Sequence, residues 1–176
     1  MLRMKMRLKT RILTLVTKNS HLSDGKSPRQ NFQGFVVDYF TWRVRLNGDE
    51  WYDRPLLPYE NISEYAIMRE VGLIFEKKYE KELKEMVKEL SSDRYLTFHR
   101  YVEVVEEFFR VQDEVSTQLS YGHLITLISF GGLMAAELAR RNARAEIGCM
   151  AIYTSKFLAK RVKLSWEKDG KSWVNA

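Results

Sequence analysis

A chain of 176 residues with 45% apolar and 30% charged side chains is long enough to bury a core and too apolar to stay disordered. Its single cysteine, Cys149, excludes an internal disulfide framework and any zinc site built on paired cysteines, so a reducing compartment is the simpler expectation. The net charge of +6 comes entirely from residues 1–23, where Arg3, Lys5, Arg7, Lys9, Arg11 and Lys18 meet no acid. The rest of the chain is neutral, unlike the basic folded face of a duplex binder, so no nucleic-acid partner is expected.

In chain order, the arm MLRMKMRLKTRILTLVTKNS comes first. It is acid-free like a mitochondrial transit peptide, yet Leu2, Met4, Met6 and Leu8 alternate at the period of a strand. It reads as a disordered basic tail or as a segment drawn to anionic lipid. A polar loop with Asp24, Gly25, Ser27 and Pro28 follows.

A first helix is expected from about Phe35 to Leu46, on the spacing of Val37, Phe40 and Val44, with Asn47-Gly48 as its stop. Residues 49–61 carry Pro55 and Pro58 and read as a loop. One long helix is then expected from a Ser63 cap. Its single apolar stripe runs through Met68, Val71, Phe75, Tyr79, Leu83, Met86 and Leu90. The charged residues from Glu76 to Glu85 read as its solvated opposite surface, and Ser91-Ser92-Asp93 breaks it. Another helix is expected from about Thr97 to Gln112, burying Phe98, Val102, Val105, Phe108 and Phe109.

The most apolar stretch is SYGHLITLISFGGLMAAEL, residues 120–138, with Gly131 and Gly132 in its middle. Each glycine inside a helix costs roughly 1 kcal/mol relative to alanine, so something is expected to approach the backbone closely there. Its uncharged run, Leu124–Ala136, is shorter than the roughly 20 residues a spanning helix needs, so no transmembrane segment is expected. A polar stretch at Arg140–Arg144 separates it from a second apolar helix, Ala145 to about Leu164, and the chain closes on WEKDGKSWVNA. These patterns give an all-α fold, a central hydrophobic helical hairpin surrounded by amphipathic helices.

Catalytic patterns do not emerge. His21, His99 and His123 lie far apart without ligand spacing, and no HExxH, GxSxG or GxxxxGK[ST] occurs. FGG lacks the lysine of a phosphate loop, and Glu106-Glu107 are adjacent on a helix and cannot converge. No enzyme activity, metal or cofactor is expected.

Four segments together resemble the Bcl-two (B-cell lymphoma two) family of apoptosis regulators. SYGHLITLISFGG is similar to homology region one, WEKDGKSW (Trp166–Trp173) to region two, MREVGLIFE (Met68–Glu76) to region three and FVVDYFTWRVRLNG (Phe35–Gly48) to region four. The region-one phrase is the specific one, and the likeness runs from about Gly34 to Trp173, toward the family's nematode pro-survival branch. It implies a Bcl-two-like helical domain over 34–176, holding regions four (35–48), three (68–76), one (120–132) and two (166–173). Residues 1–33 would form a basic arm and polar loop.

The resemblance further implies a hydrophobic groove between the region-three, region-one and region-two helices that accepts an amphipathic death-promoting helix. Met68, Val71, Gly72 and Phe75 would line it with Tyr121, Gly122 and His123, then Phe130 and Gly131, and Trp166 and Trp173. A caspase-activating adaptor would be a second partner, held until the death helix displaces it. Dimers with the same or other family members and a mitochondrial membrane surface are further implied partners. The expected place is the cytosolic face of the mitochondrial outer membrane, or the cytosol where no membrane anchor follows region two. The rival function is a pro-apoptotic pore former inserting residues 121–164.

Two residues depart from the family pattern. His123 stands where region one carries an arginine that grips an aspartate of the incoming helix. The acidic anchor is therefore expected to be weaker and to strengthen as pH falls. Leu73 stands where region three prefers aspartate, which favours an internal packing helix over a death ligand.

Overall fold

The computed structural model describes residues 32–57, 62–92, 97–115 and 121–169, without the side chains of 97, 111–115, 121 and 165–169. The arm at 1–31 and the close of the chain at 170–176 lie outside the described residues. Among the described residues there are six α-helices and no strand: α1 (Phe32–Leu46), α2 (Ser63–Lys78), α3 (Glu80–Leu90), α4 (Thr97–Val115), α5 (Tyr121–Arg140) and α6 (Ala145–Asp169). The all-α expectation holds. α5 is the central rod, with α1, α2, α3 and α6 packed on it, while α4 leans on α6 and α3.

The twin glycines are where α1 enters. A Cβ on Gly131 would stand 2.5 Å from the Phe40 ring, and one on Gly132 would stand 2.6 Å from the Tyr39 ring. Either distance is far inside van der Waals contact, so only glycine lets α1 lie this close. A Cβ on Gly72 of α2 would collide with Tyr39 as well. One tyrosine ring is thus seated against backbone of both α2 and α5. Val36, Val37, Tyr39, Phe40 and Val44 are buried to within 1%, because α2, α5 and α6 each cover a side of α1.

Polar groups complete this junction. The Tyr39 hydroxyl donates to Glu76 Oε1 at 2.8 Å, and Arg43 Nε donates to Glu76 Oε2 at 2.9 Å. Burial, then the adjoining Glu76 carboxylate, push the Tyr39 phenol far above its usual value, so it remains a neutral donor. Buried Asp38 accepts from Arg69 Nε at 2.9 Å, giving a second tie between α1 and α2. Glu76, expected on the solvated surface, is only 7% exposed. Its charge is tolerated inside because two donors satisfy it.

Boundaries differ from the sequence reading in several places. The single helix expected from Ser63 to Leu90 is two, broken at Tyr79, whose φ of −117° and ψ of 29° are not helical. Ser63 is the first helical residue rather than the cap, which is Ile62, and its hydroxyl donates to Glu64 at 3.1 Å. α4 runs to Val115 and α6 to Asp169, past the expected ends near Gln112 and Leu164, so Trp166 lies within α6. Asn47-Gly48 does stop α1, with Gly48 at φ 82°. In the loop beyond, Trp51 is buried to 1%, and Arg144 donates to the Glu50 carbonyl at 2.7 Å.

The absence of a stretch long enough to span a bilayer is also corrected. Gly122–Arg140 is long and apolar enough to cross a membrane by length and composition. Counting uncharged residues had stopped at Glu137, whose charge is paired by Arg140 and Arg141. In this fold 67% of the segment is buried as core.

Candidate partner-helix groove

α2 buries Tyr65, Gly72 and Glu76 as one stripe toward α1 and α5. At 100° per residue, Leu73 and Phe75 point about 80° to either side of that stripe. Each flank of α2 therefore borders a different surface.

On the Phe75 flank, Met68, Val71 and Phe75 are half-buried, and the half-buried Tyr79 ring packs on Phe75 at 4.9 Å. Gly122 is exposed in the first turn of α5, its carbonyl accepting from Thr126 Oγ1 at 2.7 Å. His123 is half-buried, its ring 6.0 Å from Phe108 and 6.2 Å from Phe109. Phe108 was expected inside with Phe109; Phe109 is buried to 1%, but Phe108 is 41% exposed. Adjacent residues on a helix point about 100° apart, and α4 rests on α6 rather than squarely on α5, so only one of the two rings reaches the core. Met86 of α3, expected within a continuous apolar stripe, is 38% exposed for the related reason that the break at Tyr79 re-aims α3.

The sequence-derived site residues thus separate. Phe130 is 4% exposed and stacks on Tyr101 at 5.7 Å, while Gly72 and Gly131 receive α1 aromatics, so these three lie in the packed interior. Met68, Val71, Phe75, Gly122 and His123 reach the surface. The side chains of Tyr121 and Trp166, and all of Trp173, lie outside the described residues. Sequence reasoning missed Tyr79, Met86 and Phe108 as surface apolars, although all three sit in the stripes it drew. It also missed Arg161 of α6, whose guanidinium lies 5.2 Å above the Phe109 ring and 5.4 Å above Phe157. His123 and Arg161 therefore share Phe109 as a neighbour, and no sequence spacing indicates that.

The Leu73 flank borders a separate cleft of about 570 Å³ between α2, α3 and the second half of α5. None of the expected groove residues lines it.

The family described as "Apoptosis regulator proteins, Bcl-2 family" matches residues 68–173. The apoptosis regulator ced-9 of Caenorhabditis briggsae is 37% identical over 158 residues, 89% of this chain and 59% of that protein. Its Caenorhabditis elegans counterpart is 37% identical over 153 residues, covering 86% and 54%. This chain thus spans little more than half the length of these relatives. A crystal structure of a CED-9/EGL-1 complex superposes with a TM-score of 0.74 at 37% identity, covering 86% of this chain and 91% of that one. A helical bundle around a buried glycine-bearing rod, a region-one phrase at its start and these matches agree: the chain belongs to the Bcl-2 family of apoptosis regulators.

Proposed function

We propose that this chain is a pro-survival regulator that receives an amphipathic death-promoting helix on the Phe75 flank of α2 and the start of α5. The observation that carries this reading is Phe108. A large ring left 41% exposed beside His123 is the kind of apolar anchor point an incoming helix covers. Met86, Tyr79, Phe75 and Val71 extend the apolar surface. The similarity to CED-9 in a CED-9/EGL-1 complex supports it. The helical domain over 34–176 would act by binding rather than catalysis. It would hold a caspase-activating adaptor until the death helix displaces it, at the cytosolic face of the mitochondrial outer membrane or in the cytosol. Residues 1–33 would serve as a basic arm.

The test is capture of the chain by an immobilised amphipathic death-helix peptide, with Gly122→Glu as the blocked control. Capture lost in the variant supports the groove; equal capture of both proteins overturns it. An acid on the incoming helix would meet His123, with Arg161 across Phe109. Such an acid favours the protonated imidazole, so the affinity it adds grows as pH falls and is lost as pH rises. Affinity should rise from about pH 7.5 to 6, and His123→Arg should flatten the profile and tighten binding at pH 7.5. A flat profile with no gain from arginine removes His123 from the anchor.

One observation favours a second reading, membrane insertion as a pore: α5 is long and apolar enough to cross a bilayer. Dye leakage from cardiolipin-containing vesicles at low protein concentration would support it.

A further inference from the structure

The cleft on the other flank of α2 has its own chemistry. Leu73, Leu83, Val87 and Leu133 supply apolar floor from three helices. Leu83 is buried, whereas Val87 and Leu133 are half-buried against the core with one side left toward the cleft. The acids on its wall are already matched. Glu76 takes Tyr39 and Arg43, Glu80 takes Lys84 at 2.5 Å, and Glu137 takes Arg140 at 2.7 Å and Arg141 at 2.5 Å. The Arg140 guanidinium holds the Glu137 carboxyl below its usual range, so it stays anionic and paired. Lys77 and Lys88 also line the cleft and have no ion-pair partner among the described residues. Six cations against three anions leave the wall with surplus positive charge.

The volume falls within the roughly 300–1,000 Å³ of small-molecule pockets, which are mostly apolar with a few placed polar groups.

We propose that this cleft binds a single-chain anionic amphiphile, its aliphatic chain on Leu73, Leu83, Val87 and Leu133 and its carboxylate or phosphate headgroup among the cations of the wall, at Lys77 or at Lys88, neither of which has an acid of its own among the described residues. The site lies across α2 from the groove and does not depend on it. Binding at the cleft adds apolar contacts to α3 and α5, so the occupied chain resists unfolding better than the empty one.

The test uses the full chain and a nitrobenzoxadiazole-labelled stearate below its micelle concentration, followed by anisotropy. Expected are saturable one-to-one binding, weakening on added salt, and a loss of at least about tenfold in Lys77→Glu/Lys88→Glu, both exposed positions that leave the core intact. Competition by oleate assigns a carboxylate headgroup and competition by lysophosphatidate a phosphate; either supports the site. Unlabelled oleyl alcohol should compete poorly. Equal competition by oleyl alcohol, unchanged affinity in the double variant, or binding seen only with phosphatidylcholine–cardiolipin vesicles would overturn the proposal. Binding should persist in Phe108→Ala and under saturating death-helix peptide, since displacement by that peptide would place the probe in the groove instead. If the peptide itself fails to bind, the groove reading falls and the cleft stands on the double variant alone.

Discussion

On its α1 side, the α2–α5 unit is packed shut: glycine backbone meets aromatic ring, and the buried carboxylates Asp38 and Glu76 both have partners within the protein. On its α4 side, α2 carries the half-buried Met68, Val71 and Phe75, and α4 itself leaves Phe108 exposed. The contrast is physical. The α1 side is built from the smallest residues facing the largest, which excludes water and fixes geometry. The α4 side has side chains of ordinary size left partly exposed, which leaves contact area for something else. Rigidity on one face lets the other remain incomplete without the bundle losing its shape.

Four substitutions probe that division, and the largest effect is expected on the shut side. Glu76→Ala leaves Arg43 and the Tyr39 hydroxyl buried without their acceptor, so unfolding in denaturant should show a loss of about 4 kcal/mol. Gly131→Ala pushes a Cβ into Phe40 and the Tyr101 hydroxyl, both fixed by the core, and should cost about 2–3 kcal/mol by the same assay. Phe108→Ala should instead spare stability, shifting it by less than about 1 kcal/mol, while weakening a partner helix about tenfold in a titration. A stability loss matching that of Gly131→Ala would mean that Phe108 belongs to the core. Smallest of all is Gly148→Ala in α6, where no atom lies within 4 Å of an added Cβ. Thermal unfolding should show a gain of up to about 1 kcal/mol, the helix-propensity difference with no collision against it.

Much of this fold was legible. Periodicity placed five of the helical stretches, Asn47-Gly48 marked a true stop, and the cost of two adjacent glycines announced a close approach at α5. The identity of the approaching helix was not legible, because spacing records which face is small but not what fills it. The break at Tyr79 was hidden for a similar reason. Neither proline nor glycine marks it, and the apolar stripes of α2 and α3 join in register across it. Glu76 was misplaced because a carboxylate in a charge run looks solvated until its long-range partners, Tyr39 and Arg43, are known. The site was legible only in part. The phrase at the start of α5 located Gly122 and His123, but the exposure of Phe108 and the position of Arg161 depend on how α4 and α6 lean, which no local pattern encodes.

The Tyr39 ring has a dynamic consequence. Because one side chain wedges against Gly72 and Gly132 and also holds Glu76, α2 cannot swing away from α5 without first vacating that seat and breaking the Tyr39 and Arg43 hydrogen bonds to Glu76. Opening motions are therefore channelled through α3 and α4, which hang on fewer neighbours. Amide protons of α1, α2 and α5 should trade with deuterium late and together, and those of α3 early.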